Sequence, residues 1–325
     1  MNVLITGGAG FIGSNLASFY LERGDSVYVV DNLSTGTIQN ILSMLHNPAF
    51  RFAEADIMVW NDLNDAINWA DRVYHMAAIV GVKKVLEDPR HVIEINIAGA
   101  EKIFRAVARV RPDTQIIVAS SSEVYGFNTN TSYAETDDIV LRSGARLRWC
   151  YAVTKLANEY LAYSYMFKSG IKVVIARLFN TIGRHQTGKY GMVVPTFVRQ
   201  AVQNLPITVY GDGTQTRSFC DVRDTVTALD LLASHPLANG EIVNVGNDKE
   251  ISILDLANLV VERAGSSSKL QFLTYAEAYG MEIDEIMRRR PVLDKLHTMT
   301  GFQPKWSLVN TIDSLITLER AHDLT

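Results

Sequence analysis

The chain has 325 residues, of which 47% are apolar and 20% are charged. This length and composition predict a globular protein with a sizeable core, in one large domain or two closely joined ones. Lys and Arg total 31 against 35 Asp and Glu, and the net charge of −4 argues against a nucleic-acid or membrane partner.

Two cysteines, Cys150 and Cys220, are too few for a disulfide framework and lack the spacing of metal ligands. No apolar stretch is long enough to span a bilayer, and the N-terminus lacks the basic segment of a secretion signal. We therefore expect reduced thiols, no metal site and a cytoplasmic protein.

The first predicted strand, residues 3–6, runs directly into a glycine-rich turn that opens a helical pattern. Gly7 permits a sharp turn, Gly10 lets the backbone approach a pyrophosphate, and Gly13 lets the helix pack closely on the strand. Free N–H groups at the helix start can then bind the pyrophosphate. The alternative is an ordinary tight turn without a ligand. The predicted cofactor-binding residues here are Gly7, Gly10, Phe11, Ile12 and Gly13.

The second predicted strand, residues 27–30, ends at Asp31, near the distance from the glycine turn at which a carboxylate binds the ribose hydroxyls of a dinucleotide. Residues 32–36 contain no arginine that could receive the 2′-phosphate of NADP. Asp31, with Asn32 beside it, therefore predicts NAD rather than NADP as the cofactor.

Strand-like runs alternate with helical patterns, which predicts an α/β fold with a parallel sheet covered by helices on both faces. The runs are 3–6, 27–30, 50–55, 72–75, 116–119, 173–176 and 242–245. In such sheets ligands bind beyond the carboxyl ends of the strands, so the residues after each run are the candidates for function.

Three further positions are candidate cofactor contacts. Asp56, followed by Ile57, can receive the adenine amino group or cap a helix, and the two interpretations are equally weighted. Ala77 and Ala78 are small enough for a cofactor to lie against the backbone, or they form a turn without a ligand. Asn96 lies on the helix predicted over residues 92–109, where it is either structural or bonded to backbone near the active site.

Hydroxyl and carboxylate side chains cluster after the fifth run, at Ser121, Ser122 and Glu123, where they can position a substrate hydroxyl and move a proton or serve as turn residues. Tyr151 and Lys155 lie four residues apart on a helix predicted over 151–167 and so share one face. A nearby cation favours the phenolate, which makes tyrosine a usable base. The same spacing also occurs on solvated helix faces.

The second half is less regular. Helical patterns cover residues 194–204, 221–234 and the stretch from Ser252 to Ala264, where Asp255 completes a capping box. Asp212 and Gly213 between apolar runs predict a hairpin turn. Arginines recur at 217 and at 288–290 and suit a diphosphate, although Arg288 and Arg290 are better explained as surface charge.

Together these segments resemble the extended short-chain dehydrogenase/reductase family, and within it the NAD-dependent nucleotide-sugar epimerases, dehydratases and decarboxylases. The resemblance covers nearly the whole chain and rests on residues 7–13, 31–36, 75–78, 120–126, Tyr151 with Lys155, 177–180, and 209–213 with Arg217. The chain departs from the family at Arg184, where proline is usual, and at Val292, where aspartate is usual.

The resemblance implies a Rossmann-type NAD domain, residues 1–180 plus about 221–248, and a nucleotide-sugar domain, residues 181–220 and about 249–325. It implies that Tyr151 takes the sugar hydroxyl proton, that Lys155 binds the nicotinamide ribose and that Ser121 bonds the reacting hydroxyl. The implied substrate contacts are Asn180, Arg217 and Arg289 for the diphosphate and Val194 and Tyr210 for the base. It also implies a homodimer in which helices 92–109 and 151–167 form a four-helix bundle.

The reaction depends on Glu123. A sugar oxidised at C4 that carries a C6 carboxylate is a β-keto acid and loses CO₂ readily, whereas a 4-epimerase has no task for an extra carboxylate. The sequence from Ser122 to Gly126 resembles UDP-glucuronate decarboxylases and GDP-mannose dehydratases, while residues 151–155 resemble the epimerases equally well. We therefore expect UDP-glucuronate decarboxylation, with UDP-sugar 4-epimerisation as the alternative and 4,6-dehydration third. A non-catalytic NAD sensor, the hypothesis from another class, would be expected to lose Tyr151 and Lys155.

Overall fold

Short strands and helices alternate along the chain. The structure is a computed structural model, which describes residues 1–142, 146–189, 191–280 and 285–323. Within these ranges the strands are β1 (Asn2–Thr6), β2 (Ser26–Asp31), β3 (Phe50–Glu54), β4 (Arg72–His75), β5 (Gln115–Ser121), β6 (Lys172–Leu178), β7 (Thr181–Ile182), β8 (Ile207–Tyr210), β9 (Thr216–Ser218), β10 (Cys220–Asp221), β11 (Ile242–Val245), β12 (Glu250–Ser252), β13 (Leu270–Leu273) and β14 (Arg288–Arg289). The helices are α1 (Phe11–Glu22), α2 (Leu63–Trp69), α3 (Val82–Glu87), α4 (Pro89–Val110), α5 (Cys150–Ser169), α6 (Val193–Val202), α7 (Val222–Ser234), α8 (Ile253–Ala264), α9 (Tyr275–Tyr279), α10 (Asp294–Thr300) and α11 (Leu308–Asp323).

The main sheet has seven strands in the order β11-β6-β5-β4-β1-β2-β3, and every pair is parallel. This order reverses direction beside β1, which is the crevice where doubly wound sheets bind dinucleotides. The register places Thr6 of β1 between Val30 of β2 and His75 of β4, so these strands end at one edge. The predicted α/β fold with about seven parallel strands is confirmed.

Apolar side chains cover both faces of the main sheet, as the continuous apolar runs of its strands require. One core includes Tyr20 of α1 and Leu229 of α7, and the other includes Phe104 of α4 and Ala162 of α5. All four residues are fully buried, and each large apolar side chain buried in this way contributes about 1.5–3 kcal/mol. Leu296 of α10 also joins the first core.

A third core lies in the smaller part of the molecule and holds α6, α8 and α11 together. It includes the buried side chains of Phe197, Leu256 and Ile312, one from each helix. Short sheets flank it, β13-β8 and β12-β9-β14. Two extended segments from this region, β9 and β14, thereby bring Arg217 and Arg289 into register with each other.

Local capping explains where several helices begin. Asp88 accepts a hydrogen bond from the His91 N–H at 3.0 Å before α4, and Asp221 accepts one from Arg223 at 2.8 Å before α7. Ser252 accepts the Asp255 N–H at 2.9 Å, but the Asp255 carboxylate accepts from the Ser252 hydroxyl, so only half of the predicted capping box forms. α5 ends at Gly170, which adopts the left-handed conformation at φ 66°.

The predicted hairpin around Asp212 is wrong. Strand β8 before the turn pairs with β13, and β9 after it pairs with β12 and β14, so the two flanking strands lie in different sheets. The turn itself exists, because Gly211 and Gly213 have positive φ and Asp212 accepts the Thr214 N–H at 2.9 Å. These local bonds close the turn without requiring the second strand to return beside the first.

Among the described residues, no helix combines the length and the apolar composition needed to cross a bilayer.

Candidate active site

A cavity of about 960 Å³ opens beyond the carboxyl ends of the main-sheet strands and extends toward the third core. This volume suits a bound small molecule or cofactor. All the predicted site residues except Asn96 line it: Gly7, Gly10, Phe11, Ile12, Gly13, Asp31, Asn32, Asp56, Ile57, Ala77, Ala78, Ser121, Ser122, Glu123, Tyr151, Lys155, Asn180, Val194, Tyr210, Arg217 and Arg289.

The glycine turn has the geometry expected of a pyrophosphate cradle. Gly7 has φ 69°, and a Cβ there would lie 2.7 Å from the backbone of Ala77. A Cβ at Gly13 would clash with the Gly7 carbonyl oxygen, so close packing of α1 requires glycine. No side chain caps α1 at Gly10, which leaves the first-turn N–H groups available to an anion.

Asp31 closes the cradle from β2. Its Oδ2 accepts the Ala9 N–H at 3.0 Å and its Oδ1 accepts the Leu33 N–H at 2.8 Å. Burial raises the pKa of Asp31, and these backbone N–H groups partly counteract that effect. The carboxylate therefore both orders the glycine turn and presents oxygen atoms to the cavity.

Of the other predicted cofactor contacts, Asp56 lines the cavity, whereas Asn96 supports a residue that lines it. Asp56 lines the cavity and accepts the Met58 N–H at 2.8 Å, so it caps a single turn rather than a helix. Asn96 does not line the cavity. It is buried, its Oδ1 accepts the Ile79 N–H at 2.8 Å, and its Nδ2 donates to the Ile79 carbonyl at 3.1 Å. This agrees with the alternative in which Asn96 bonds to backbone near the active site. Asn96 thus positions Ile79, which does line the cavity.

Tyr151 and Lys155 reach the cavity from the first two turns of α5. The Lys155 Nζ donates a hydrogen bond to the Ala119 carbonyl at 2.7 Å and lies 5.8 Å from the centre of the Tyr151 ring. Burial lowers the pKa of Lys155 to about 8, while Glu159 one turn further along acts in the opposite direction.

The expectation that Lys155 lowers the pKa of Tyr151 is not met in this structure. Burial raises the pKa of Tyr151 above its ordinary value, the negative charge of Glu123 raises it further, and interaction with Ser121 lowers it. The physical reason is that the Lys155 ammonium is directed to a backbone carbonyl rather than to the phenol oxygen.

Glu123 lies in a short 3₁₀ helix, Ser122–Tyr125, that follows β5 and is capped by the Ser121 hydroxyl at 3.2 Å. Its Oε1 is 2.6 Å from Arg289 Nη1, and its Oε2 is 3.9 Å from Arg148 Nη2. Burial alone would raise the pKa of this carboxyl group, but neighbouring guanidinium groups, first that of Arg289, lower it below its usual value. Glu123 is therefore ionised within the cavity.

The substrate candidates occupy the other end of the cavity. Asn180 donates to the Ser218 carbonyl at 3.1 Å, and Val194 is fully buried in α6. Tyr210 packs edge-on against Tyr275, with ring centres 6.4 Å apart. Arg217 is buried and forms an ion pair with Glu285.

Arg288 and Arg290 lie outside this cavity, as the surface-charge interpretation predicted. Arg288 bonds both carboxylate oxygens of Glu250 at 2.9 Å, and Arg290 lies 4.0 Å from the same group.

Sequence reasoning missed several polar or aromatic cavity residues, among them Arg148, His185, Tyr275 and Glu285. Arg148 belongs to the short 3₁₀ segment Leu147–Trp149 that precedes α5, so the helical period of α5 does not identify it. His185, at φ 73°, bonds the Ser14 hydroxyl of α1 at 2.8 Å in the segment that departs from the family pattern. Nothing local marks Glu285 as a site residue.

A crevice at the switch point of a parallel sheet, a glycine cradle with a carboxylate at the next strand end, and a buried tyrosine–lysine pair define a dinucleotide-dependent enzyme. The chain belongs to the NAD-dependent epimerase/dehydratase family, whose model matches residues 3–246. The expected family, the enzymatic nature of the protein and the NAD cofactor are thereby confirmed.

Two curated relatives are decarboxylases. A UDP-N-acetyl-alpha-D-glucosaminuronate decarboxylase of Bacillus cytotoxicus is 38% identical over 94% of this chain and 93% of its own length. UDP-glucuronic acid decarboxylase 4 of Arabidopsis thaliana is 34% identical over 95% of this chain and 66% of its own length. Both names describe loss of the carboxyl group of a UDP-hexuronate.

One solved structure of similar fold is an epimerase. The UDP-glucuronic acid 4-epimerase of Bacillus cereus, in complex with UDP-glucuronic acid and NAD, has a TM-score of 0.89 at 28% identity and covers 99% of this chain and 100% of its own.

Proposed function

We propose that this protein removes CO₂ from the C6 carboxylate of a UDP-hexuronate through a transient 4-keto intermediate and releases a UDP-pentose. UDP-glucuronate and UDP-N-acetylglucosaminuronate are the two substrates to compare, because they are the substrates in the names of the two related decarboxylases. They differ at C2, which carries a hydroxyl group in the first and an acetamido group in the second.

The observation that carries the proposal is the ion pair of Glu123 with Arg289 beside Tyr151. An epimerase needs only to return hydrogen to the other face of C4, whereas this site adds an ionised carboxylate and two nearby guanidinium groups. The Nε of Arg289 is buried and has no hydrogen-bond partner among the described residues. An unpaired buried donor of this kind favours an anionic ligand.

The residues of the glycine cradle and Asp31 would hold NAD, which when bound accepts hydride from C4 of the sugar and returns it. We propose that Tyr151 takes the C4 hydroxyl proton, that Ser121 orients this hydroxyl and that Lys155 holds the nicotinamide ribose. Burial and the charge of Glu123 raise the pKa of Tyr151, whereas its interaction with Ser121 lowers that pKa, so Ser121 would favour the phenolate.

We propose that Asn180, Arg217 and Arg289 face the diphosphate and that Val194 and Tyr210 lie near the base.

With C4 as a ketone, the C5–C6 bond breaks, CO₂ leaves, and the electron pair forms a C4–C5 enolate. C5 then takes a proton from a group that exchanges with solvent. The guanidinium groups beside Glu123 would stabilise the enolate oxygen as negative charge develops there.

The alternative is 4-epimerisation, which the fold similarity to a UDP-glucuronic acid 4-epimerase supports. Mixing the protein with NAD and each UDP-hexuronate, followed by mass spectrometry and proton NMR of the product, separates the two. The proposal expects a product lighter by one CO₂, and Tyr151→Phe should abolish it. A product of unchanged mass and inverted C4 would establish the epimerase instead.

We further propose a homodimer through α4 and α5. Val153, Tyr160 and Phe167 are spaced seven residues apart on α5, with Tyr163 between them, and all are exposed. Phe167 is 86% exposed and Tyr160 69%. Large apolar side chains that recur on one face of a helix suit a partner helix, and a second copy of the chain supplies the matching face.

The predicted division of the chain remains part of this proposal. Residues 1–180 and about 221–248 would bind NAD, and 181–220 with about 249–325 would bind the nucleotide sugar. The predicted cytoplasmic location also belongs to it.

A further inference from the structure

Glu285 lies in the substrate end of the cavity and had no role in the sequence-based site. Its carboxylate forms an ion pair with Arg217 and also lies 3.9 Å from Arg148 Nη1. Its side chain is 19% exposed, so the pair is largely shielded from solvent. Shielding strengthens the attraction between the two charges.

The guanidinium group of Arg217 is committed on both of its terminal nitrogens. Nη1 donates to the Thr216 carbonyl at 2.7 Å, and Nη2 donates to Glu285. A diphosphate that approaches Nη2 of Arg217 must therefore compete with Glu285 for that nitrogen. The competition is direct, because carboxylate and phosphate oxygens accept the same donors.

Charge at this end of the cavity favours such an exchange. Among the described residues that line it are three guanidinium groups, those of Arg148, Arg217 and Arg289, and two carboxylates, those of Glu123 and Glu285. A UDP-hexuronate would add negative charge from two phosphates and one carboxylate. If Glu285 stayed in place, several anions would share one shielded site, and like charges at close range are unfavourable.

The residue that follows Glu285 is firmly packed, so displacement of Glu285 would occur by rotation of its side chain. The next residue, Ile286, is 4% exposed and packs with Trp149 and Ala152, which anchors the backbone. A glutamate side chain still has free torsions beyond this anchor and can rotate toward the opening of the cavity.

We propose that Glu285 is an internal counter-ion, which neutralises Arg217 in the substrate-free protein and is displaced by the substrate diphosphate. This inference rests on the proposed UDP-sugar substrate. It makes Glu285 a determinant of substrate affinity, since each binding event must first break the pair with Arg217.

The test is the affinity of the NAD-loaded protein for UDP, measured by titration calorimetry, because UDP carries the diphosphate and undergoes no reaction. Glu285→Gln should bind UDP about tenfold more tightly than wild type, because the competing charge is gone while the size is kept. Uridine, which lacks phosphate, should show no such gain. Asp313→Asn, which breaks an exposed pair with Arg263 outside the cavity, should bind UDP like wild type.

Equal or weaker UDP binding by Glu285→Gln would overturn the inference and would instead make Glu285 a residue that positions Arg217. If the variant does not fold, a crystal structure of the wild-type protein with UDP decides the question. Glu285 should then have left Arg217, and a retained pair contradicts displacement. Neither readout requires turnover, so a failure of the decarboxylase proposal would be seen separately in the reaction products.

Discussion

The carboxylate of Glu123 lies 2.6 Å from the guanidinium group of Arg289, although the two residues come from opposite halves of the chain. Glu123 follows β5 of the main sheet, and Arg289 belongs to β14 in the smaller part of the molecule. The pair therefore joins the predicted cofactor and substrate regions beside Tyr151. This arrangement is what favours decarboxylation over simple epimerisation.

Replacing Glu123 by Gln should lower the rate of CO₂ release by about 10²-fold or more, in the range of a lost acid–base or charge-stabilising group. The amide keeps the size of the side chain but removes its charge, so NAD affinity should stay within a few-fold of wild type. Glu262→Gln, at an exposed position on α8, is the matched control. Turnover by Glu123→Gln close to that of the control would remove Glu123 from the chemistry.

Asp31→Asn should weaken NAD binding more than NADP binding. The amide retains an oxygen that can accept the Ala9 or Leu33 N–H, so the turn keeps part of its support. The variant side chain loses the negative charge, which favours binding of the free ribose hydroxyls of NAD over the 2′-phosphate of NADP. Fluorescence titration with both cofactors measures the ratio, and an equal loss for the two would argue against this assignment.

Phe167→Glu together with Tyr160→Glu should convert a dimer into monomers, because two charges would have to be buried on the paired α5 faces. Light scattering at micromolar concentration measures the mass. Phe272→Glu changes an exposed aromatic residue on β13, away from α4 and α5, and should leave the mass unchanged. A monomeric mass for the wild-type protein would contradict the proposed bundle.

His75 should make the protein sensitive to acid. It is buried, its Nδ1 lies 2.8 Å from the Thr6 hydroxyl, and burial, with a smaller effect of Lys155, lowers its pKa to about 3. The unfolded chain protonates this histidine below about pH 6.5, whereas the folded protein does not until about pH 3. The free energy of unfolding should therefore fall as pH drops through that window, by about 1.4 kcal/mol per pH unit.

Urea unfolding between pH 7 and 4.5 measures this slope. His75→Gln should reduce it, while His297→Gln, at an exposed position, should leave it unchanged. An identical slope in wild type and His75→Gln would show that other groups control acid stability.

The main sheet and the glycine turn with Asp31 beside it could be predicted from the sequence because their signals are local. The run before Gly7, the positive φ that Gly7 requires and the position of Asp31 at the next strand end all follow from neighbouring residues. The spacing of Tyr151 and Lys155 likewise fixes a shared helix face.

The substrate end could not be predicted as completely, because its contacts join distant segments. The pair of Arg217 with Glu285 depends on how β9 approaches residues near β14, and no local pattern encodes it. The wrong hairpin at Asp212 has the same origin, since turn chemistry identifies the bend but not which strands pair afterwards. The pKa of Tyr151 depends on where the Lys155 ammonium is directed, which spacing alone does not specify.

The most direct measurement is proton NMR of the reaction of the NAD-loaded protein with each UDP-hexuronate in D₂O. We predict a UDP-pentose with one deuterium at C5, because the enolate left by loss of CO₂ takes its proton from exchangeable sources. A product that keeps its carboxylate, is inverted at C4 and carries no deuterium at C5 would contradict it.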